Sequence, residues 1–477
     1  MVCWYAEEKS VICSLNHFTS TNKFNEIKKF HGQLLRKGFL FSSLDVLTKL
    51  MYSCITVASN KNTLQSLTSF ISSIRSQNPL PLNILLAEFN RNGFFSLALR
   101  TLSLMHIHGV PLDSYALCSA LTAASSANTF NFGKQMHTYI VKAGWSGSVF
   151  AGSAVVGLYS RSLLIDDAEI AFHEIPMKNS VCANALLAGY GEAKLWIKGI
   201  ELLRKMPLLN LNYDPFTLTA ALCACAGLSA IGLGKQVHAY VLRTNSGLET
   251  DVVFLSSLIE MYGRCGLVSK ALQVFNLSGL EFGEKKKRDI VLWTSMLGSY
   301  GRSGHYIEVV QLYRDMLVEG VRPDKVAFVA VISACAHTGE VDLGLSYFES
   351  MIRDFRLDPG TEHFSCIVDL LCKAGELEKA WKLVNQMTGK GLGISVSLWG
   401  ALLNACKDRG NVNLARMAAK KALELDPQNA GVLALLSNLY AKFDMWDEIE
   451  QLSNLMKEQG IKKAAGCSWI EVSQVTS

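Results

Sequence analysis

Ile290-Val-Leu-Trp-Thr-Ser-Met-Leu-Gly-Ser-Tyr-Gly-Arg-Ser-Gly-His-Tyr-Ile-Glu-Val-Val-Gln-Leu-Tyr-Arg-Asp-Met-Leu-Val-Glu-Gly-Val-Arg-Pro-Asp324 reads as one complete helical hairpin. Trp293, Met296, Leu297 and Tyr300 recur at i, i+3, i+4 and i+7, the spacing that lines one face of an α-helix. Ser303-Gly304 breaks that helix. Val309, Val310, Leu312, Tyr313 and Met316 stripe a second helix, which Gly320 and Pro323 end. A single hairpin cannot bury both stripes, whereas stacked copies share a continuous core. If the stretch recurs along the chain, the fold is an α-solenoid.

It does recur. The end of the hairpin, Met316 to Asp324, has counterparts in Met105-His-Ile-His-Gly-Val-Pro-Leu-Asp113 and in Met206 to Asp214, so the Met residues lie 101 and then 110 residues apart. Gly133-Lys-Gln-Met-His-Thr-Tyr139 likewise returns 101 residues later as Gly234-Lys-Gln-Val-His-Ala-Tyr240. Each long period divides into three hairpins of unequal length. The first period comprises 79–113, 114–148 and 149–179; the second, 180–214, 215–251 and 252–289; the third, 290–324, 325–360 and 361 to about 394. The extra residues of the second period gather mostly around Glu281-Phe-Gly-Glu-Lys-Lys-Lys-Arg288, whose basic run reads as a solvated loop.

Bulk properties agree with an ordered repeat array. At 477 residues the chain exceeds what one core usually serves, and 49% hydrophobic residues with only 9 Pro exclude a disordered class. No apolar run approaches a membrane span; Val326 to Ala336 is about half that length and reads as a buried helix. A net charge of +5 permits a polyanionic partner without specifying one. Thirteen Cys, scattered and odd in number, read as small apolar residues in a reducing compartment, and Cys223 and Cys225 form only a C-x-C. No metal or cofactor is expected. Met1-Val-Cys-Trp-Tyr-Ala-Glu-Glu-Lys9 has neither the apolar core of a secretory signal nor the acid-free, Arg-rich character of a transit peptide.

Hairpins of 35, 35 or 36, and 31 residues in rotation resemble the P, L and S repeats of plant pentatricopeptide repeat proteins. Ser397-Leu-Trp-Gly-Ala-Leu-Leu-Asn-Ala-Cys406, Gly410-Asn-Val, Leu423-Glu-Leu-Asp-Pro427, Leu435-Leu-Ser-Asn-Leu-Tyr440, Trp446 and Gly466-Cys-Ser-Trp-Ile-Glu-Val472 resemble the E extension that follows such arrays. The resemblance implies an all-α, right-handed α-solenoid of stacked hairpins. It divides the chain into an N-terminal segment 1–78 with degenerate units such as Phe30 to Gly38, an array over 79–394, a tetratricopeptide-like E extension over 395–466, and a tail 467–477. Neither the H-x-E nor the P-C-x-x-C string of a DYW-type cytidine deaminase occurs in the sequence, so no catalysis is expected of this chain.

Members of this family read one base per repeat with two or three side chains. Carried over residue by residue, the resemblance places base recognition at the fifth and last positions of the P and S units. These pairs are Asn83 with Asp113, Ser153 with Asn179, Asn184 with Asp214, Ser256 with Asp289, and Thr294 with Asp324. Short polar residues are poor choices inside a helix, and Asp or Asn immediately before a helix also reads as an N-cap. The second positions, Leu80, Phe150, Val181, Val253 and Val291, would sandwich the bases or else pack in the core. L units carry Cys118, Thr219 and Val329 at the fifth position and are assigned no base. Glu362 puts a charge at the second position of the last S unit. His137 and His238 read as packed side chains.

The implied function is sequence-specific recognition of single-stranded organellar RNA, marking a cytidine for C-to-U editing in a mitochondrion or, alternatively, a chloroplast. A DYW-type deaminase would act in trans, together with small organellar editing cofactors. RNA stabilisation, splicing or processing through the same surface is the nearest alternative. A protein-binding scaffold is a further class, disfavoured because a scaffold has no need of polar pairs in register.

Overall fold

The computed structural model describes residues 11–17, 24–36, 50, 79–244, 247–281, 284–285, 288–389, 393 and 395–458. Most of segment 1–78, and Gly466 to Val472 of the E extension, lie outside them. The chain forms two compact units, Met1–Leu228 and Ser229–Ser477. In the first, Leu80–Arg91 pairs with Phe95–Ile107, Ser114–Ser126 with Phe130–Lys142, Val149–Arg161 with Ile165–Glu174, and Ser180–Glu192 with Trp196–Lys205; Pro215–Leu228 comes last. In the second, Ile231–Thr244 precedes the hairpins Val252–Arg264/Val268–Leu277, Ile290–Arg302/Tyr306–Val318, Lys325–Thr338/Val341–Arg353 and Thr361–Ala374/Leu377–Gly389. Two more, Val396–Arg409/Val412–Leu425 and Ala430–Lys442/Trp446–Glu458, complete it. Within each unit, first helices pack on the first helices of neighbouring hairpins, as Val149–Arg161 does on Ser180–Glu192. This is an all-α solenoid.

The apolar stripes read from the sequence form the core. In hairpin 290–324, Trp293, Met296, Leu297, Val309, Leu312, Tyr313 and Met316 are buried, while Tyr300 and Val310 are half-buried. Gly304 and Gly320 end their helices with φ of 77° and 69°, a region that costs a side-chain-bearing residue about 1 kcal/mol or more.

The packing also accounts for the repeated G-K-Q motif. A Cβ at Gly133 would come within 2.6 Å of Leu158, one at Gly344 within 2.6 Å of Leu370, and one at Gly234 would collide with Met261. In all three, the second helix of an L hairpin presses its backbone against a large side chain on the first helix of the following S hairpin. Four residues on, His137 Nδ1 lies 2.9 Å from the Tyr159 hydroxyl, and His238 Nδ1 lies 2.9 Å from the Tyr262 hydroxyl. Both histidines are therefore packed and hydrogen-bonded, as their place on the second helix suggests. Burial lowers the pKa of His137 against the opposing pull of Glu174 and Asp167.

The basic run before Asp289 departs from the expected solvated loop. Leu280–Glu281 pairs antiparallel with Glu284–Lys285, and Arg288 folds back onto the hairpin core. Its Nε donates to the Phe275 carbonyl at 3.1 Å and its Nη1 to Glu319 at 2.9 Å, with the guanidinium 4.6 Å from the Phe275 ring centre. Arg288 thus takes the place that Lys178 holds in the shorter S hairpin, where Nζ donates to the Ile175 carbonyl at 2.9 Å and lies 5.3 Å from Phe172. A guanidinium satisfied by carbonyls, a carboxylate and an aromatic face is more stable there than in water, which is why this end of the run is held down.

Candidate nucleic-acid interface

The first helix of each hairpin positions the predicted residues. Two of the five fifth-and-last pairs meet directly. Asn83 Nδ2 donates to Asp113 Oδ2 at 2.6 Å, and Asn184 Nδ2 donates to Asp214 Oδ2 at 2.7 Å. The other carboxylate oxygen caps the next helix, Asp113 Oδ1 accepting from Ala116 N and Asp214 Oδ1 from Thr217 N, each at 2.8 Å. One Asp therefore serves as N-cap and as side-chain partner at once, so the two readings of that position do not compete. An ionised carboxylate only accepts hydrogen bonds, which fixes the Asn amide with its NH2 group towards Asp. In the second pair, Asn184 Oδ1 is occupied by the Thr217 hydroxyl at 2.9 Å.

The three hydroxyl-bearing pairs are arranged differently. Ser153 donates to the Val149 carbonyl at 2.6 Å, Ser256 to the Val253 carbonyl at 2.9 Å, and Thr294 to the Ile290 and Val291 carbonyls, each at 3.1 Å. This bonding to the preceding turn is how Ser and Thr are accommodated inside a helix. Asn179 caps Cys182 N at 3.0 Å and Asp324 caps Ala327 N at 2.9 Å. Asp289 is exposed and caps Val291 N, two residues on rather than three.

Accessibility removes the core alternative for the second positions. Leu80, Phe150, Val181, Val253 and Val291 are 44% to 71% exposed, although the helices they lie on bury most of their other large apolar residues. They are not core residues. The equivalent L-unit residues Tyr115, Phe216 and Val326 are exposed too, a feature missed because the reading of L units stopped at the fifth position. Their signal was the same register. Glu362 is exposed at the matching place in the last S unit. Burial and the Asp113 carboxylate push the Cys118 thiol up to about 11, so this L-unit fifth position offers only a neutral, weakly donating group.

Sequence reasoning also missed a cation at the thirteenth position of five of the six P and S units, Arg91, Arg161, Arg264, Arg302 and Lys373, the sixth carrying Glu192. Arg91 pairs with Glu88 at 2.6 Å, Lys373 with Asp369 at 2.8 Å, and Arg264 and Arg302 with Glu260, while Arg161 donates to Ser126 at 3.1 Å. Exposed pairs of this kind are worth about 0–1 kcal/mol and are readily exchanged for a stronger anion. Among the described residues, no group of three or more His, Cys, Asp or Glu side chains is placed to hold a metal ion, and no helix is long and apolar enough to cross a membrane.

The chain matches models of the PPR repeat at 181–211 and 253–277, the PPR repeat family at 288–353, a further PPR repeat at 355–388, and the E motif at 409–471. A mitochondrial pentatricopeptide repeat-containing protein of Arabidopsis thaliana is 35% identical over 75% of this chain and 74% of its own length. A chloroplastic one from the same plant, CRR2, is 34% identical over 75% of this chain and 53% of its own. The chain spans about half the length of several curated relatives. In fold it is similar to the pentatricopeptide repeat protein PPR10 from maize, with TM-score 0.67, 14% identity, and 94% of this chain and 64% of that one covered. PPR10 in complex with an 18-nt psaJ RNA element gives 0.65 at 14% identity, covering 93% and 66%.

Proposed function

The chain belongs to the pentatricopeptide repeat family, and we propose that it binds single-stranded organellar RNA sequence-specifically. The observation that carries this reading is the Asn–Asp pair beside an exposed apolar residue, formed identically in two hairpins. With the amide oriented by the carboxylate, the pair presents a spare Nδ2–H next to a carboxylate lone pair. A donor beside an acceptor complements the O4 and N3–H of uracil and opposes the donor–acceptor order of cytosine and adenine. Guanine presents the same order through O6 and N1–H, so the choice of U for Asn83 with Asp113 and Asn184 with Asp214 follows the family's pairing rule, in which Asn followed by Asp reads uridine.

The same logic runs through the capping bonds. Asn179 must turn Oδ1 to the helix it caps, which leaves Nδ2–H for a ring acceptor such as adenine N1 or cytosine N3, and the family's pairing rule gives Ser153 with Asn179 to A. Asp324 caps through one oxygen and keeps the other for a ring N–H, which guanine and uracil both offer, and the family's pairing rule gives Thr294 with Asp324 to G. RNA runs 5′ to 3′ in chain order. The exposed second-position residues supply apolar faces on which bases stack, at about 1–3 kcal/mol per base in single-strand binding.

The E motif supports a role in C-to-U editing, with the deaminase supplied in trans by a DYW-type partner and small organellar editing cofactors assisting. Relatives named for the mitochondrion and the chloroplast support an organelle, and the mitochondrion is the first to test. Binding measured on four RNAs differing only at the base read by Thr294 and Asp324 should favour G by about fivefold or more, a mismatch costing about 1–3 kcal/mol. Asp324→Asn should shift that preference to A, because capping again turns Oδ1 to the helix and leaves an amide donor. An unchanged preference would reduce Asp324 to a helix cap. Purified protein should also leave cytidine intact in a bound RNA; uridine production without a partner would overturn the assignment of the chemistry to a second protein.

A further inference from the structure

The hairpin 252–289 carries a Ser–Asp pair that matches the Thr–Asp pair of 290–324 in residue type, but its geometry differs. We infer that its base site is unselective, because the insertion before Asp289 has turned the discriminating carboxylate out of register. This rests on the base-reading assignment proposed above.

Every other side-chain cap in the repeats reaches the amide three residues on. Asp113, Ser148, Asn179, Asp214, Asp251 and Asp324 accept from Ala116, Ala151, Cys182, Thr217, Phe254 and Ala327. Asp289 accepts from Val291 at 2.9 Å. Its φ of −69° and ψ of 148° differ from −91° and 176° for Asp113, −129° and 173° for Asn179, and −102° and −177° for Asp324, the last residues of other P and S hairpins; Ser148 and Asp251, which close L hairpins at −75° and 123° and at −74° and 122°, still reach the third amide. Asp113, Asn179, Asp214 and Asp324 are half-buried, whereas Asp289 is exposed.

The cause lies one residue upstream. Arg288 is held by the Phe275 carbonyl, Glu319 and two aromatic rings, so the extra chain re-enters the array at a fixed point. Lys178 precedes the normally capped Asn179 with a simpler anchor, two carbonyls and one ring. Arg288 adds the ion pair with Glu319, immediately after the second helix of the following hairpin, and so pins the residue before Asp289 to both hairpins. A carboxylate committed to the amide of Val291 cannot also hold its second oxygen where Asp113 and Asp214 hold theirs, beside the fifth residue of the hairpin. Ser256 donates to a preceding carbonyl just as Thr294 does, so the difference between the two sites lies in the carboxylate. Val253 stays exposed and still offers a stacking face. The site therefore accepts a base without choosing one.

The test uses the full chain and RNAs varied at two positions, the base read by 252–289 and the base read by 290–324. At the first, the four bases should bind within about twofold of one another, and at the second G should lead by about fivefold or more. Asp289→Asn should leave the flat profile flat, while Asp324→Asn moves the neighbouring preference to A. A fivefold preference for G at the first position, moved to A by Asp289→Asn, would overturn the inference and leave the reading of the array intact. Flat profiles at both positions would overturn the base-reading assignment itself.

Discussion

At the scale of single residues, position within a helix separates side chains that look alike in the sequence. Val291 and Leu292 are neighbours of similar character, yet Val291 is exposed and Leu292 is buried. Phe150 at 71% exposure and Phe172 at 3% belong to one hairpin and should behave oppositely. Phe150→Ala is expected to weaken RNA binding by about 1–3 kcal/mol, the range for a base–aromatic stack, while leaving the melting temperature almost unchanged. Phe172→Ala is expected to cost about 3–5 kcal/mol of stability as a core truncation. Gel shifts and thermal melts on both variants check this, and equal loss of stability in the two would show that Phe150 packs in the core. The sequence carried the register of these residues. It did not carry their exposure, because i, i+3 periodicity marks a face without saying what covers it.

Helices meet at places where backbone approaches side chain, and these contacts set what each element tolerates. Two S-to-P junctions solve the same contact with the residues exchanged. In the first, a Cβ on Gly189 would lie 2.6 Å from Ser160; in the second, a side chain on Gly263 would collide with Ser299. The S hairpin supplies Ser in one junction and Gly in the other, and the P hairpin supplies the complement. Both serine hydroxyls are buried without a hydrogen-bond partner, so each junction tolerates one small side chain and gains nothing from the hydroxyl. Gly263→Ser alone should cost about 1–3 kcal/mol by overpacking. Adding Ser299→Gly should recover most of that loss, since the double variant recreates the Ser160–Gly189 arrangement, and chemical denaturation of the single and double variants measures the coupling. Additive losses would show that the two positions do not share a contact.

For the whole molecule, the proposed function gives RNA reading to the hairpins up to about 394 and a different task to the E motif. Within 396–458 the contacts are those of a packed protein surface. Arg416 donates to the Tyr440 hydroxyl at 3.2 Å and to Glu448 at 2.8 Å, and Trp381 meets Trp399 edge-on at 5.6 Å. The Trp381–Trp399 contact shows that cutting the chain at 395 would uncover the array's last hairpin, so Leu425 is the better end point. A chain ending there is expected to keep its RNA affinity within about threefold and to lose support of editing in vivo. Gel shifts and transcript sequencing check the two halves, and loss of both would mean that the last two helices serve chiefly as a cap.

By itself the amino-acid sequence determined the solenoid, since unequal hairpins in rotation leave no other way to bury their apolar stripes. It also set the register that the polar fifth and last residues and the apolar second residues share, without deciding which of them are exposed. Tertiary structure decided what the register could not. It showed that the glycine of G-K-Q admits Leu158 and Met261 from the next hairpin, as Gly344 at the equivalent place admits Leu370. It brought Asn83 and Asn184 onto their carboxylates, 30 residues along the chain in each case. And it set Asp289 apart from its equivalents, because a helix cap is fixed by the angle at which the chain enters the helix, and that angle is set by what anchors the residue before it, here Arg288 against Phe275 and Glu319.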